Sequence, residues 1–382
     1  MVEQERCQVW EIRRSRLIAG LDLLNLIPEK VGLSSSEFVW IRGHGDRITL
    51  SVASYIMGEI NLVGKGNWKG DYYIDRRVFL PFVYASKEIK NKNNFVFDFK
   101  KKQLIVRHGN RKAVFDSQKD VQGYGDLRKI MKYEESEIPV SEELQQLLAC
   151  GANCAVSDAI TPSLNCVYLA KGMVVEAYAA SDKVFFMGVG DTKGKVKTAI
   201  PFPLFLINLL QEPTLNKISW RGKYIVLQFE KGVIWQSISQ EALENFPVKE
   251  IKKHAKSAMT KTIAFTVSGR RFSKMMIRLA SYLQAVRRRD WVVSINGKAG
   301  TSFLGLCTGV PGVRFDEKIN ITDKLKHDIK IEWPLDILES TFKFLAMRAK
   351  KQGMVVRMDS KRGVSYLTAG QFWLCVTSMK ES

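Results

Sequence analysis

Residues able to do chemistry are few in this sequence, and most of their groupings fail on spacing. Gly188-Val189-Gly190-Asp191-Thr192-Lys193-Gly194-Lys195 has the composition of a loop that cradles phosphate on backbone N–H groups. Such a loop needs Gly where Val189 stands and Ser or Thr where Val196 stands, so the segment reads as a strand-to-strand turn. Cys150 and Cys154 are four apart, a helical spacing, yet no His or second Cys pair follows at zinc spacing. They read as a buried helical pair. His44, His108, His254 and His327 are isolated, without a flanking carboxylate pair, and read as surface histidines. No carboxylate cluster has metal spacing. The sequence therefore predicts no catalytic residue, no metal and no cofactor.

The informative residues are cations. Between Ser268 and Arg289 stand seven basic residues, Arg270, Arg271, Lys274, Arg278, Arg287, Arg288 and Arg289, and no acidic one. On a helix, Phe272, Met275, Met276, Leu279, Leu283 and Val286 fall within ~60° of one direction, while Arg270, Arg271, Lys274 and Arg278 lie ~160–260° away. One face would pack on a sheet and the other would offer a row of cations to a phosphate backbone. A weaker form recurs at Lys343, Arg348, Lys350 and Lys351, and at Arg13, Arg14 and Arg16. Glu142 and Glu143 interrupt it in the middle of the chain. No aromatic-interleaved platform accompanies these cations, so contacts to phosphate without base readout are expected.

The whole composition agrees with a polyanionic partner. The chain has 382 residues with 59 Lys+Arg against 39 Asp+Glu, a formal net charge of +20, and 46% hydrophobic residues, the profile of a folded protein. Met1 to Trp10 contains no apolar signal region, and the most apolar stretches are shorter than a membrane-spanning helix and carry Pro or Gly. Six scattered cysteines suit a reducing compartment. A cytoplasmic protein without a membrane partner is expected.

Elements able to position the cations follow from apolar spacing. Six helices are predicted: Ser15 to Ile27, Arg76 to Ile89, Ser141 to Gly151, Pro201 to Glu212, Ser268 to Arg288 and Pro334 to Lys350. Alternate starts recur at roughly 126 residues and neighbouring starts at roughly 60, so the chain reads as three repeats of two half-units. Between the helices lie runs rich in β-branched and aromatic residues, about three strands per half-unit. Glu37 to Arg42 and Arg47 to Ala53 are examples, with Gly43-His44-Gly45-Asp46 as a turn between them. Polar Gln118 to Glu137 and Lys-rich Val248 to Ser257 read as linkers, giving domains 1–135, 136–256 and 257–382. The fold class is α+β, each domain having two helices backing antiparallel strands.

Three such domains with basic helices resemble the bacterial DNA sliding clamps, the beta subunit family of DNA polymerase III. Local matches are Gly232 to Ile238 followed by Glu244-Asn245-Phe246-Pro247, which resembles the last strand and Phe-Pro exit of the family's second domain. Asp71 to Asp75, Ala199-Ile200-Pro201 and the Ala180-Ser181-Asp182 turn are further matches. The resemblance implies a non-enzymatic processivity factor, a head-to-tail homodimeric ring with helices lining the hole and sheets outside. It implies duplex DNA, a polymerase peptide, a clamp loader and a second copy of the chain as partners. A partner groove would use Val184, Phe185, Phe186, Phe246, Pro247, Val376 and Met379. Two departures stand out: Val184-Phe185-Phe186 replaces the family's His-Arg-Leu, and the chain ends Leu374 to Lys380 instead of on a Met-Pro-Met-Arg-Leu-like tail. Such divergence points to a phage or mobile-element member. The competing reading is a clamp-fold DNA-binding protein that acts as a monomer or coat in recombination or transcription.

Overall fold

The structure is a computed structural model. It describes residues 8–377 apart from 30–33, 90–92, 156–163, 191–195, 279–291, 335–352 and 360–363, and apart from positions 101, 119–120, 122, 125–126, 139, 173, 182–183, 273, 276–277, 311–312 and 371. The chain forms two compact units: Met1–Ile138 with Glu212–Ile238, and Pro139–Gln211 with Ser239–Ser382.

The first unit is built on one ten-stranded antiparallel sheet. Its strands are β1 (Gln8–Ile12), β2 (Phe38–Ala53), β3 (Met57–Asp75), β4 (Phe95–Lys100), β5 (Gln103–His108), β6 (Arg111–Asp116) and β7 (Glu135–Ile138). The order is β6-β5-β4-β1-β3-β14-β13-β12-β7, with β2 paired to β3. Three of these strands, β12 (Leu215–Arg221), β13 (Tyr224–Phe229) and β14 (Gly232–Ser237), come from later in the chain. The long strand β3 joins the halves, pairing Gly66 with Trp10 of β1 at one end and Ile60 with Gly232 of β14 at the other. The turn expected at Gly43 to Asp46 is instead a bulge inside β2, with Gly45 at φ +70° and a register shift between Gly45 and Arg47. Gly43 is required there because the Trp68 ring lies where a Cβ would stand, 2.0 Å from it. Trp68 in turn stacks on Phe99.

Helices of this unit follow the apolar spacing. α1 (Arg14–Asn25) buries Leu17, Leu21, Leu23 and Leu24. α2 (Arg76–Tyr84) starts on Asp75, whose carboxylate accepts from the Arg77 N–H at 2.8 Å, and continues as a 3-10 turn over Ala85–Glu88. The segment read as a polar linker holds α3 (Leu127–Ile130) and β7. β7 is edge-paired to β12, and Lys217 and Arg221 of β12 bridge Glu135 at 2.9 and 2.5 Å.

The second unit contains two sheets. The eight-stranded one runs β11-β8-β9-β10-β22-β21-β20-β15, and the four-stranded one β18-β17-β16-β19. The strands are β8 (Cys166–Leu169), β9 (Val175–Ala180), β10 (Val184–Gly190), β11 (Ile200–Pro203), β15 (Ile263–Val267), β16 (Val292–Gly297), β17 (Phe303–Val310), β18 (Val313–Asn320), β19 (Ile329–Pro334), β20 (Met354–Asp359), β21 (Val364–Ala369) and β22 (Phe372–Thr377). The helices are α4 (Glu142–Cys154), α5 (Leu204–Leu209), α6 (Gln240–Glu244) and α7 (Val248–Met259).

α5 is shorter than expected because Ile200–Pro203 pairs as a strand with β8. The Lys-rich segment read as a linker is the two-sided helix α7, which buries Ile251, Ala255 and Ala258. α4 and α7 cover opposite faces of the eight-stranded sheet. A Cβ on Gly188 of β10 would meet Leu147 of α4, so the alternate residues Val184 and Phe186 share that face. Phe185 and Met187 pack with α7 against Tyr178, Tyr366 and Trp373.

Candidate nucleic-acid interface and partner face

The cationic helix predicted after Ser268 begins where expected. Residues 269–272, 274, 275 and 278 are helical, and the Phe272 N–H donates to the Ser268 carbonyl at 3.0 Å. Phe272 and Met275 are buried and close a narrow apolar cavity with Phe265, Val267, Ile295, Leu304, Leu306, Ile319 and Trp333. Arg270, Arg271, Lys274 and Arg278 are all exposed. The apolar spacing and the cation spacing thus occupy opposite sides, as an amphipathic helix requires. Arg278 is tied to the Glu317 carboxylate of β18, which leaves Arg270, Arg271 and Lys274 as the cations most available to a phosphate. Arg287, Arg288, Arg289, Lys343, Arg348, Lys350 and Lys351 lie outside the described residues.

On α1 the three arginines divide. Arg13, at the helix N-cap, and Arg16 are exposed. Arg14 donates through Nη1 to the carbonyls of Ser86 and Ile89 at 2.8 and 2.7 Å, so it holds the end of the turn after α2. α4 contributes no cation. Its sequence from Glu142 to Cys154 has no Lys or Arg, Glu142 and Glu143 occupy its first turn, and the Ser141 hydroxyl caps it by accepting the Leu144 N–H at 3.1 Å. Carboxylates at that end are favoured by the helix dipole, which gives them a structural reason independent of any ligand.

Of the predicted groove residues, Val184, Phe185, Phe186 and Val376 come together in one sheet but on two faces. Val184 pairs with Val376 and Phe185 with Cys375. Val184, Phe186 and Val376 are buried on the α4 side. Phe185 is half-buried on the α7 side, 5.2 Å from the His254 ring. Phe246 stacks on Tyr168 at 4.9 Å, and Pro247 is the N-cap of α7. Met379 lies outside the described residues. The residues expected to line a groove are therefore covered from both sides, Val184, Phe186 and Val376 beneath α4 and Phe185 in part beneath α7. Tyr168, Phe185, Met187 and Val248 remain partly accessible at its margin.

The remaining chemistry-bearing residues behave as structure. Cys150 and Cys154 are buried on α4, and none of the described cysteines forms a disulfide. His108 departs from the surface reading: it is buried and stacks on Phe95 at 4.5 Å, and burial depresses its pKa. No group of three metal-ligating side chains occurs among the described residues. No described helix is long and apolar enough to cross a membrane.

No protein-family model matches the sequence, and no curated protein does either. Solved structures do match, over almost the entire chain. The DNA polymerase sliding clamp of Caulobacter crescentus superposes with a TM-score of 0.77 at 10% identity, covering 98% of this chain and 100% of that one. This chain has the sliding-clamp fold. The beta subunit of DNA polymerase from Streptococcus pyogenes matches with a TM-score of 0.76 at 14% identity over 97% and 100% of the two chains. The clamp from Pseudomonas aeruginosa does so at 0.75 and 13% over 98% and 99%. At such identities the clamp fold persists through burial pattern and strand pairing alone, which explains why architecture carried the resemblance further than any local motif.

Proposed function

We propose that the protein is a DNA polymerase processivity factor: a clamp that encloses duplex DNA, contacts its phosphates without reading bases, and tethers a polymerase. The observation that supports this best is the full-length match to sliding clamps, joined to the helical residues 269–272, 274, 275 and 278, which bury Phe272 and Met275 and expose Arg270, Arg271 and Lys274. Its three domains, 1–135, 136–256 and 257–382, would place their helices around the hole. Two copies would close the ring head to tail, a heterologous contact whose rotation closes. The strands suited to that joint are β6 and β18, which stand at ends of their sheets and pair only with β5 and β17 among the described strands. A polymerase peptide would bind at the margin of α7, against Tyr168, Phe185, Met187 and Val248, and a loader would open the ring. The fold's work is topological, so no catalytic residue is needed.

The test is retention on DNA of different topology. Protein loaded on nicked circular duplex should remain bound in high salt and leave after the circle is cut, and light scattering should give twice the chain mass. A monomer released equally from circular and linear DNA refutes the clamp and favours a coat.

A further inference from the structure

The helix α7 carries a row of four exposed cations outside the proposed hole. Lys249, Lys252, Lys253 and Lys256 are all exposed, and at 3.6 residues per turn they fall within a ~100° arc. Ile251, Ala255 and Ala258 lie on the opposite side, 0%, 9% and 1% exposed. The only carboxylate on the helix is Glu250, at the flank. Lys252 reaches the Glu176 carboxylate of β9 at 2.9 Å, while no other lysine of α7 has an ion pair with the sheet among the described residues. From Lys249 to Lys256 the row is ~10 Å long, the axial length of about three phosphates of one duplex strand.

The unit's charges are arranged the opposite way from what a basic hole alone would need. α4, on the other face of the same sheet, has no Lys or Arg and begins with two glutamates. The helix expected to line the hole in this part of the chain is therefore acid-tipped, and the lysines are on the far side of the sheet. Resting on the clamp reading, which puts α4 inside the ring, we propose that α7 is a second DNA-binding surface on the outside of the ring, taking the phosphate backbone of a DNA segment other than the enclosed one. Lysines suit this task as strongly hydrated point charges that attract phosphate without a fixed geometry. Sequence-independent, salt-sensitive binding follows, for single or double strands alike.

The experiment uses the full chain and the variant K249Q/K253Q/K256Q, which leaves Lys252 on Glu176. Binding to fluorescein-labelled linear 30-nucleotide DNA, single- and double-stranded, is measured by anisotropy across a salt series. The slope of log K against log salt should fall by about 2.7 on duplex and about 2.1 on single strand, from ~0.9 and ~0.7 per lost phosphate contact. Retention on nicked circles in high salt should match the unsubstituted protein. An unchanged slope, in a variant with unchanged thermal unfolding, overturns the proposal. Binding of polyglutamate is measured in the same series, and a loss confined to it overturns the proposal by assigning the face to an acidic protein. Failure of the clamp reading appears separately, as equal release of the unsubstituted protein from circles and linear DNA.

Discussion

Truncating Ile251 to Ala should release α7 from its sheet without unfolding the rest of the second unit. Ile251 is completely buried between the helix and the apolar sheet face formed by Tyr178, Trp373 and Cys375. Replacing a buried Ile by Ala costs about 2–5 kcal/mol. At about 3 kcal/mol, and ~1.4 kcal/mol per tenfold, the undocked population rises about 150-fold. Two reporters lie under the helix: Cys166 and Cys375 are 3% and 1% exposed, and burial pushes both thiols up to about 12. They are thus protonated and shielded while α7 is docked, since the thiolate is the reactive form. Undocking returns them toward the ordinary thiol range, so their labelling by a chromogenic disulfide at pH 8 should accelerate about 100-fold or more, in line with the opening equilibrium. Cys150 and Cys154, on α4 across the sheet, serve as internal controls when labelled peptides are mapped. Equal acceleration at all four thiols would mean global unfolding, and no acceleration at Cys166 and Cys375 would mean that Ile251 does not hold the helix. Either result refutes the argument.

Other consequences can be checked independently. R270Q/R271Q/K274Q should lower the salt slope for duplex binding by about 2.7 and weaken binding at low salt, as three lost phosphate contacts require; an unchanged slope removes that helix face from the interface. R76M should cost about 2–4 kcal/mol in urea unfolding, because the buried Arg76 Nη2 donates to the Ile27 carbonyl at 2.8 Å and the Leu24 carbonyl at 3.4 Å, and these would lose their charged donor. G43A should cost about 1–3 kcal/mol, since its Cβ would lie 2.0 Å from a Trp68 ring atom and the ring is held by Phe99. Glu135 is held below its ordinary value of 4.5 by the Lys217 hydrogen bond and by Arg221. Its contribution is therefore complete above pH 4.5 and is lost as pH falls through the lower folded value. Acid unfolding between pH 4.5 and 2 should be steeper for the unsubstituted protein than for E135Q, and identical profiles would show that the bridge contributes nothing.

Much of the architecture was legible because burial imposes a period. α1, α2 and α4 each present leucines, or Phe79 and Val83, at helical spacing, and two of them carry a capping Asp75 or Ser141 that marks the start. The failures have specific causes. Gly43 to Asp46 has turn composition, but its glycines serve a bulge and a close approach to Trp68, and the partner that requires them is 25 residues away. α7 shows apolar spacing at Val248, Ile251, Ala255 and Ala258, yet its lysines give it the composition of a linker. His108 has a polar sequence neighbourhood and an aromatic spatial one. In β10, alternation states only that Val184 and Phe186 share a face, not which face α4 covers.

That last ambiguity decides which residues can probe a partner groove. Substituting Val184 or Phe186 by Asp would put a carboxylate into the core beneath α4, since both are 2% exposed or less, and an unpaired buried charge destabilises whatever the function of the surface. Lost polymerase binding in such a variant would therefore report unfolding. Phe185 and Met187 are the informative positions, half-buried on the α7 side and reachable without crossing the sheet. F185S should leave the unfolding midpoint within about 1 kcal/mol of the parent, because a half-exposed ring forfeits only part of its burial energy. The same change should weaken polymerase-peptide binding about tenfold, as loss of one aromatic contact at an interface commonly does. Peptide affinity unchanged by F185S and by M187S would remove this margin as the tethering site and would direct the search to the two edges of the sheet, at β11 and β15.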